Sequence, residues 1–313
     1  MDPLDLKILR TMGLRPYGAK PADPNALKAT RIAARLGVEP ETVKARLEKM
    51  AEGGFLRGFH VYPNLAHLGL SGTAYLFRVP DEDRKAEAVR KAELVDGLTE
   101  LHNFLGAEMC VDLAYASATD LSRKLRLLGE LTGDHSPERF YDRQMPPVSR
   151  ALTRLDWRII RSMRYGAQRP LGEVAEEVGA SVKTVRRHYL RMAREGSLFA
   201  VPAVDASRAP GVILYELLFY TAPASGESAV PAILELLKDS YLYHYRPASE
   251  SFGNFDVLSA APRAAEVEEM RQAGGRLRGV VKVSSLVFRG WAEHTAWLDA
   301  AIEERAGGPG RRA

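Results

Sequence analysis

Apolar residues at helical spacing open the chain, and the same pattern returns in its second half. Leu4, Ile8, Leu9 and Met12 lie on one face of a predicted helix, because residues three and four positions apart share a face. The counterparts of these four residues are Leu155, Ile159, Ile160 and Met163. The repetition indicates that the chain contains two copies of one unit.

A second block of matching positions supports this duplication. Each copy predicts a short helix that ends at a glycine, Gly37 or Gly179, and a third helix that begins after Glu39 or Ser181. A strand follows each third helix, over residues 55–62 and 198–204. Two helices separated by a glycine turn, followed by a β-ribbon, are typical of a winged helix-turn-helix. The first copy aligns Ile32-Ala33, Gly37, Thr42-Val43, Met50, Gly54 and Leu56 without gaps to Val174-Ala175, Gly179, Thr184-Val185, Met192, Gly196 and Leu198.

The rest of each copy predicts the order strand, helix, strand, strand, helix, strand, which is a ferredoxin-like arrangement. The predicted fold class is therefore α+β, with two winged helix-turn-helix domains alternating with two ferredoxin-like domains. A last helix, over 291–305, follows only the second copy. The predicted domains are 1–62 and 150–204 for helix-turn-helix copies 1 and 2, 63–149 and 205–305 for the α+β domains, and 306–313 for a disordered tail.

Charge is distributed unevenly along the chain. Residues 1–62 carry 11 basic and 7 acidic residues, and residues 150–200 carry 11 and 5, so both helix-turn-helix segments are positive within a chain of net charge +4. A polyanion would be attracted to these two segments, although solvated basic helix faces have the same composition.

Other compositional features exclude several classes of protein. No apolar stretch approaches the roughly 20 residues of a membrane helix, and the N-terminus has no secretion signal, so we expect a cytoplasmic protein without a membrane partner. Cys110 is the only cysteine, which excludes an internal disulfide. The seven histidines are scattered, and no phosphate-binding or nucleophile motif is present, so we expect no metal, no cofactor and no enzymatic activity.

The Leu-Asp-x-x-Ile-Leu opening helix, the glycine-bounded helix-turn-helix and the βαββαβ domain together resemble the Lrp/AsnC (feast/famine) transcription regulators. The resemblance covers nearly the whole chain, twice. It implies that the first domain of each copy binds double-stranded DNA. It also implies that the second, RAM-type domain dimerises and senses an amino acid or related metabolite. Because this family usually carries one unit per chain, we expect an intramolecular pseudo-dimer, and homo-oligomerisation stays open.

The third helix of the second copy has the composition of a DNA-recognition helix. At 100° per residue, Val182, Val185, Tyr189 and Met192 fall on the core side, and a basic face lies opposite. Arginine can bind guanine through two hydrogen bonds, and lysine or arginine can neutralise phosphates. The predicted DNA contacts of this copy are Lys183, Thr184, Arg186, Arg187, Arg191 and Arg194.

The corresponding face of the first copy carries more acid than base. Glu41, Glu48 and Glu52 share it with few basic residues, so groove contact is less favoured there. The predicted contacts of the first copy are Thr42, Lys44, Arg46, Lys49 and Arg57.

A ligand site is predicted in the second α+β domain. Members of the resembled family often carry Gly-x-aromatic-Asp at the start of the third strand, and Gly253, Asn254 and Asp256 fit that element around Phe255. The first copy has Met109 where the aspartate belongs. A tight turn at Gly253 would equally explain the motif without a ligand.

Three functions fit these observations. The first is a transcription regulator of the Lrp/AsnC type, responsive to a small-molecule effector such as an amino acid. The second is an enzyme similar to sirohaem decarboxylases, which use a similar pair of domains, with His244 and Arg246 as candidate contacts for haem carboxylates. The third is an architectural protein that coats DNA without sequence preference.

Overall fold

The computed structural model describes residues 1–13, 27–222, 226–245 and 254–307. The two helix-turn-helix units have the same three-helix layout. Asp2 caps the first helix by accepting from the backbone N–H groups of Leu4 and Asp5, and Ser181 caps the last by accepting from Thr184. The helices are α1 (Pro3–Met12), α2 (Ala29–Leu36) and α3 (Pro40–Glu52) in the first copy, and α6 (Arg154–Met163), α7 (Leu171–Val178) and α8 (Val182–Arg194) in the second.

The strand after each helix-turn-helix pairs with its counterpart from the other copy. β1 (Leu56–Pro63) and β6 (Leu198–Val204) form a two-stranded antiparallel sheet, in which Phe59 faces Pro202 and His60 faces Val201. Phe59 corresponds to Val201 in the repeat, so the ribbon is built around a pseudo-two-fold axis. The ribbon expected within each unit is thus shared between the units.

The remaining eight strands form one antiparallel sheet. The first copy contributes the order β5-β2-β4-β3, the second contributes β10-β7-β9-β8, and β3 pairs with β10 where the copies join. The strands are β2 (Ser71–Arg78), β3 (Leu98–Phe104), β4 (Glu108–Tyr115), β5 (Glu138–Asp142), β7 (Ile213–Thr221), β8 (Tyr241–Tyr245), β9 (Asn254–Ala261) and β10 (Val280–Glu293). The helices of the two α+β units are α4 (Glu82–Ala92), α5 (Ala118–Thr132), α9 (Gly226–Leu236) and α10 (Ala264–Gly275).

The two faces of this sheet bury different residues. Met109, Val111 and Leu113 of β4 join an apolar cluster that includes Ala88 and Ala92 of α4. The alternate residues face the other copy, because successive side chains of a strand point to opposite faces. The Tyr220 hydroxyl of β7 lies 3.2 Å from Glu138 Oε2 of β5. The expected association of the two α+β domains within one chain is therefore present. The apolar cluster between the copies contains Ala74, Leu76, Phe104, Cys110, Phe140, Tyr141, Leu218 and Leu286.

The C-terminal helix begins later than the sequence predicted. The prediction began it at Trp291, but β10 continues to Glu293 because Trp291, Ala292 and Glu293 pair with β3. α11 (Ala296–Ala306) then packs on α6, and Arg164 Nε of the second helix-turn-helix unit donates to Asp299 Oδ1 at 2.8 Å. The predicted disordered tail falls mainly on residues 308–313, outside the described residues. The domain boundaries stay predictions. Among the described residues, no helix is both long and apolar enough to span a membrane.

Candidate nucleic-acid interface and a buried polar cluster

The outer face of α8 presents basic side chains to solvent. Lys183, Arg186 and Arg187 are exposed and form no ion pair with another described residue. Arg194 is also exposed, and its Nε donates to the Leu190 carbonyl at 3.2 Å. Thr184 is half-buried. Side chains that are charged and unpaired in this way can bind phosphates without first losing a partner in the protein.

The inner face of α8 holds the helix on its own domain. Val185, Tyr189 and Met192 are buried as expected, whereas Val182 is 50% exposed at the first turn. Arg191, predicted as a DNA contact, instead donates from NH2 to Asp156 Oδ1 of α6 at 2.6 Å. Its side chain is 17% exposed. Arg191 therefore anchors α8 and does not belong to its free face.

Asp156 is the centre of this anchor. Its side chain is fully buried, and Oδ1 also lies 2.7 Å from His188 Nδ1. Burial opposes the ionisation of Asp156, but hydrogen bonds from Thr153 and His188 and the charge of Arg191 outweigh it, so the pKa of Asp156 is lowered. The carboxylate is charged in the folded protein and fixes α8 against α6.

The same position in the first copy is anchored differently. Arg46, predicted as a DNA contact, pairs with Asp2 and with Asp5, which corresponds to Asp156. Burial of Asp2 is outweighed by its hydrogen bonds with Arg46 and Asp5, so the pKa of Asp2 is lowered. Arg46 is therefore occupied in holding α3 on α1.

The remaining predicted contacts of the first copy are exposed but few. Thr42, Lys44 and Lys49 lie on the surface of α3, and Lys44 Nζ is 4.0 Å from Glu41 Oε2. Arg57 of β1 is exposed and pairs with Asp205. The structure thus leaves a weaker basic surface on the first unit than on the second.

The predicted ligand site lies only partly within the described residues. Gly253 falls outside them, Asn254 opens β9, and Asp256 is buried at 3% exposure on the strand. Asp256 faces Leu218 of β7. The matching pair of the first copy is Leu76 and Cys110.

This strand pairing changes the comparison between the copies. Leu76 of β2 and Leu218 of β7 are equivalent, so Cys110 occupies the position of Asp256. The sequence comparison, which put Met109 there, was displaced by one residue. A one-residue displacement on a strand moves a side chain to the other face, and Met109 does lie on the helix-covered face.

A buried polar cluster between the copies was not predicted. Glu100 and His102 of β3 meet Asp112 of β4, and His102 Nε2 is 3.3 Å from Glu100 Oε2. Arg143, after β5, donates from NH2 to Glu100 Oε1 at 3.0 Å and from Nε to Asp112 Oδ1 at 3.1 Å. Glu216 of β7 completes the cluster from the second copy, with Oε1 3.6 Å from His102 Nδ1. The Glu-x-His spacing predicts two side chains on one face. Asp112 joins them through the pairing of β3 with β4, and Arg143 and Glu216 join them through packing of the chain.

A second polar group lies between this cluster and the ribbon. The Tyr62 hydroxyl of β1 donates to Glu293 Oε2 at 2.7 Å, and His60 Nδ1 is 3.8 Å from the same oxygen. Burial raises the pKa of Glu293, but the hydrogen bond from Tyr62 and the nearby His60 outweigh it, so the net shift is downward. A cavity of about 10 Å³, bordered by Glu100 and Arg143, separates the two groups. It has room for about one water molecule.

The fold and the exposed basic helix are those of a helix-turn-helix protein with an appended α+β domain. The chain matches no family model. It is 30% identical over 115 residues to the HTH-type transcriptional regulator Ptr1 of Methanocaldococcus jannaschii, a match that covers 36% of this chain and 71% of Ptr1. The chain belongs to the Lrp/AsnC family of transcriptional regulators.

Solved structures extend the likeness in fold to nearly the whole chain. The siroheme decarboxylase NirDL matches 96% of this chain and 98% of its own, with a TM-score of 0.58 and 15% identity. NirDL in co-complex with an iron-uroporphyrin III analogue matches 97% and 98%, with a TM-score of 0.57. At this identity the likeness shows the fold alone.

The expectation that the protein is not an enzyme does not survive this comparison. It rested on the scattered histidines and on the absence of phosphate-binding and nucleophile motifs. The siroheme decarboxylase NirDL has a similar fold over 98% of its own chain. The fold is therefore one that supports an enzyme, and the prediction is wrong.

Proposed function

We propose that the protein is a DNA-binding transcription regulator of the Lrp/AsnC type, in which α8 makes the main contact with DNA. The observation that carries the proposal is the exposure of Lys183, Arg186 and Arg187 on α8, where none of the three forms an ion pair with another described residue. His188 and Arg191 of α8 bind Asp156 of α6, so the position of the helix is fixed while its basic face is exposed.

The arginines of α8 differ in whether they neutralise a carboxylate of their own domain. Arg191 neutralises a carboxylate within the domain, whereas Arg187, one turn earlier, has no carboxylate to neutralise among the described residues. An arginine free of internal partners can form charge-assisted bonds with a phosphate or two bonds with guanine. The free face of α8 therefore supplies the positive charge that binding requires.

The shared ribbon sets the relation between the two recognition helices. β1 and β6 pair around a pseudo-two-fold axis, which gives the two units a dimer-like arrangement within one chain. The first unit presents Lys44 and Lys49 beside Glu41 and Glu48 and would bind DNA more weakly. The operator is accordingly expected to have one well-specified half-site and one loose half-site.

Selection of bound sequences from a random DNA pool tests this proposal. The full chain should enrich an asymmetric site, and the combined variant Lys183→Ala, Arg186→Ala, Arg187→Ala should enrich none. Arg126→Ala, an exposed arginine on α5, is the control and should enrich the same site. Binding that random DNA competes away fully would indicate an architectural role, and absence of binding at low salt would refute both.

We also propose that an effector with an amino group, such as an amino acid, binds at Asp256. This carboxylate is buried on the sheet face directed toward the first copy, and the corresponding position there is Cys110. A carboxylate can accept a hydrogen bond from an ammonium group, whereas a thiol is a poor acceptor. Association of several chains into a homo-oligomer is part of the same proposal.

A second candidate function is decarboxylation of a tetrapyrrole such as sirohaem. The likeness in fold to NirDL over nearly the full length of both chains favours it. His244 of β8 is half-buried, and Arg246 lies outside the described residues. Adding sirohaem to the protein tests it: a shifted Soret band with release of carbon dioxide would support the enzyme, and an unchanged spectrum would oppose it.

A further inference from the structure

The polar cluster between the copies has more negative than positive charge. Glu100, Asp112 and Glu216 are 6%, 1% and 0% exposed, and Arg143 is the cation that contacts two of them. The three carboxylates and the one guanidinium together carry two net negative charges. Burying unbalanced charge is costly, so this group of residues favours a bound positive charge.

The cluster also has the donor atoms of a cation site. One ligand atom each from Glu100, His102 and Asp112 lies within 4.8 Å of the others, and this is the one such group among the described residues. Arg143 donates a hydrogen bond to Glu100 Oε1. The other carboxylate oxygen, Glu100 Oε2, lies 3.3 Å from His102 Nε2. Two atoms that bind one ion at bond lengths of about 2.0–2.2 Å are separated from each other by a distance similar to that between Glu100 Oε2 and His102 Nε2.

Glu216 supplies independent support from the other copy. It is fully buried, and neither of its carboxylate oxygens accepts a hydrogen bond from a described residue. Its Oε1 lies 3.6 Å from His102 Nδ1, on the opposite side of the ring from Glu100. A histidine that binds a metal through one nitrogen commonly donates its other N–H to a carboxylate, which fixes the tautomer.

We propose that Glu100, His102 and Asp112 bind one divalent transition-metal cation, and that Glu216 orients His102 from the second copy. A nitrogen and carboxylate donor set suits Zn²⁺ or Mn²⁺. The two added positive charges bring the charge of the group to zero. The ion would hold β3 and β4 of the first copy while Glu216 ties it to β7, so the site belongs to the contact between copies. It is separate from the DNA-binding face proposed above.

Titration of the chelator-treated full chain with Co²⁺ tests the site. We expect one equivalent to bind with visible d–d absorption bands, to raise Tm by several degrees, and to be displaced by Zn²⁺. Glu216→Gln should weaken binding about 10–100-fold while retaining the side-chain size, as expected for a residue that orients a ligand. His102→Gln should abolish stoichiometric binding. His135→Gln, at an exposed histidine after α5 and outside the cluster, is the control and should bind as the wild type does.

Two results would overturn the proposal. One is a chain that binds no Co²⁺ under these conditions. The other is Co²⁺ binding that Glu216→Gln leaves unchanged. The second result is decisive even if His102→Gln fails to fold.

Discussion

The two helix-turn-helix units share a layout but use their basic residues differently. In the first unit Arg46 holds Asp2 and Asp5, and the outer face of α3 mixes acid with base. In the second unit Arg191 and His188 share Asp156, and on the outer face of α8 Lys183 and Arg187 form no ion pair within the part of the chain that the structure describes. The number of basic residues does not distinguish a DNA-binding surface. The distinguishing feature is which basic side chains remain for DNA after the others have formed ion pairs with carboxylates of their own domain.

The largest expected difference between the units is in stability. Asp156→Ala would leave Arg191 and His188 without their shared buried acceptor, so we expect it to lower the free energy of unfolding by about 3 kcal/mol. Asp5→Ala should cost about 1 kcal/mol, because Arg46 is 31% exposed and keeps Asp2. Urea unfolding followed by circular dichroism measures both. Equal losses would show that the two anchors are equivalent.

Acid should distinguish the anchors further. The folded-state pKa of Asp156 is lowered from its ordinary value of 3.8, so its contribution is present above that pH. The contribution is lost as pH falls through the lowered folded-state value. The stability difference between wild type and Asp156→Ala should therefore shrink below about pH 4. A difference that persists unchanged in acid would contradict the role of the charged carboxylate.

The next comparison is between the recognition helices. Arg187→Ala should weaken specific DNA binding by roughly 10–100-fold, because a bidentate arginine contributes about 1–3 kcal/mol of discrimination. Lys49→Ala in the first unit should have a smaller effect, and Ala45→Arg should strengthen binding. Footprinting with the three variants measures this. Equal losses at the two helices, or a palindromic preferred site, would remove the asymmetry.

Effector binding should also distinguish the two α+β units, and we expect its effect to be smaller than the effect of Arg187→Ala on DNA binding. An amino acid that binds should raise Tm by a few degrees, and Asp256→Ala should remove that rise. Cys110→Ala, at the equivalent position of the first copy, should keep it. A thermal-shift panel of amino acids measures the effect, and a panel without any shift would count against the pocket.

The smallest expected difference is in salt dependence. Lys183→Ala should reduce the slope of log K against log salt by about 0.9, the value for one lost phosphate contact. Arg57→Ala should change it less, because Arg57 already pairs with Asp205. Binding isotherms at several salt concentrations measure both slopes. An equal change in both would show that the ion pair leaves Arg57 available to DNA.

Local patterns in the sequence predicted the helices and strands well, but not the partners of each strand. Apolar spacing located α1 and α6, and the glycines located their turns. The extension of β10 to Glu293 depends on β3, which is far away in sequence. For the same reason the helical projection could not show that Arg191 turns toward Asp156, or that Glu216 approaches His102. Such contacts depend on which elements pack together, and periodicity does not contain that information.

The pairing of β3 with β10 has a consequence for the assembly of the protein. Separate halves would each expose an unpaired strand edge, available to another copy or to aggregation. Joining both halves in one chain makes their association intramolecular, so dilution does not dissociate it. The same linkage fixes a one-to-one ratio of unlike halves. Each half is then free to diverge, and a dimer of identical chains does not have that freedom.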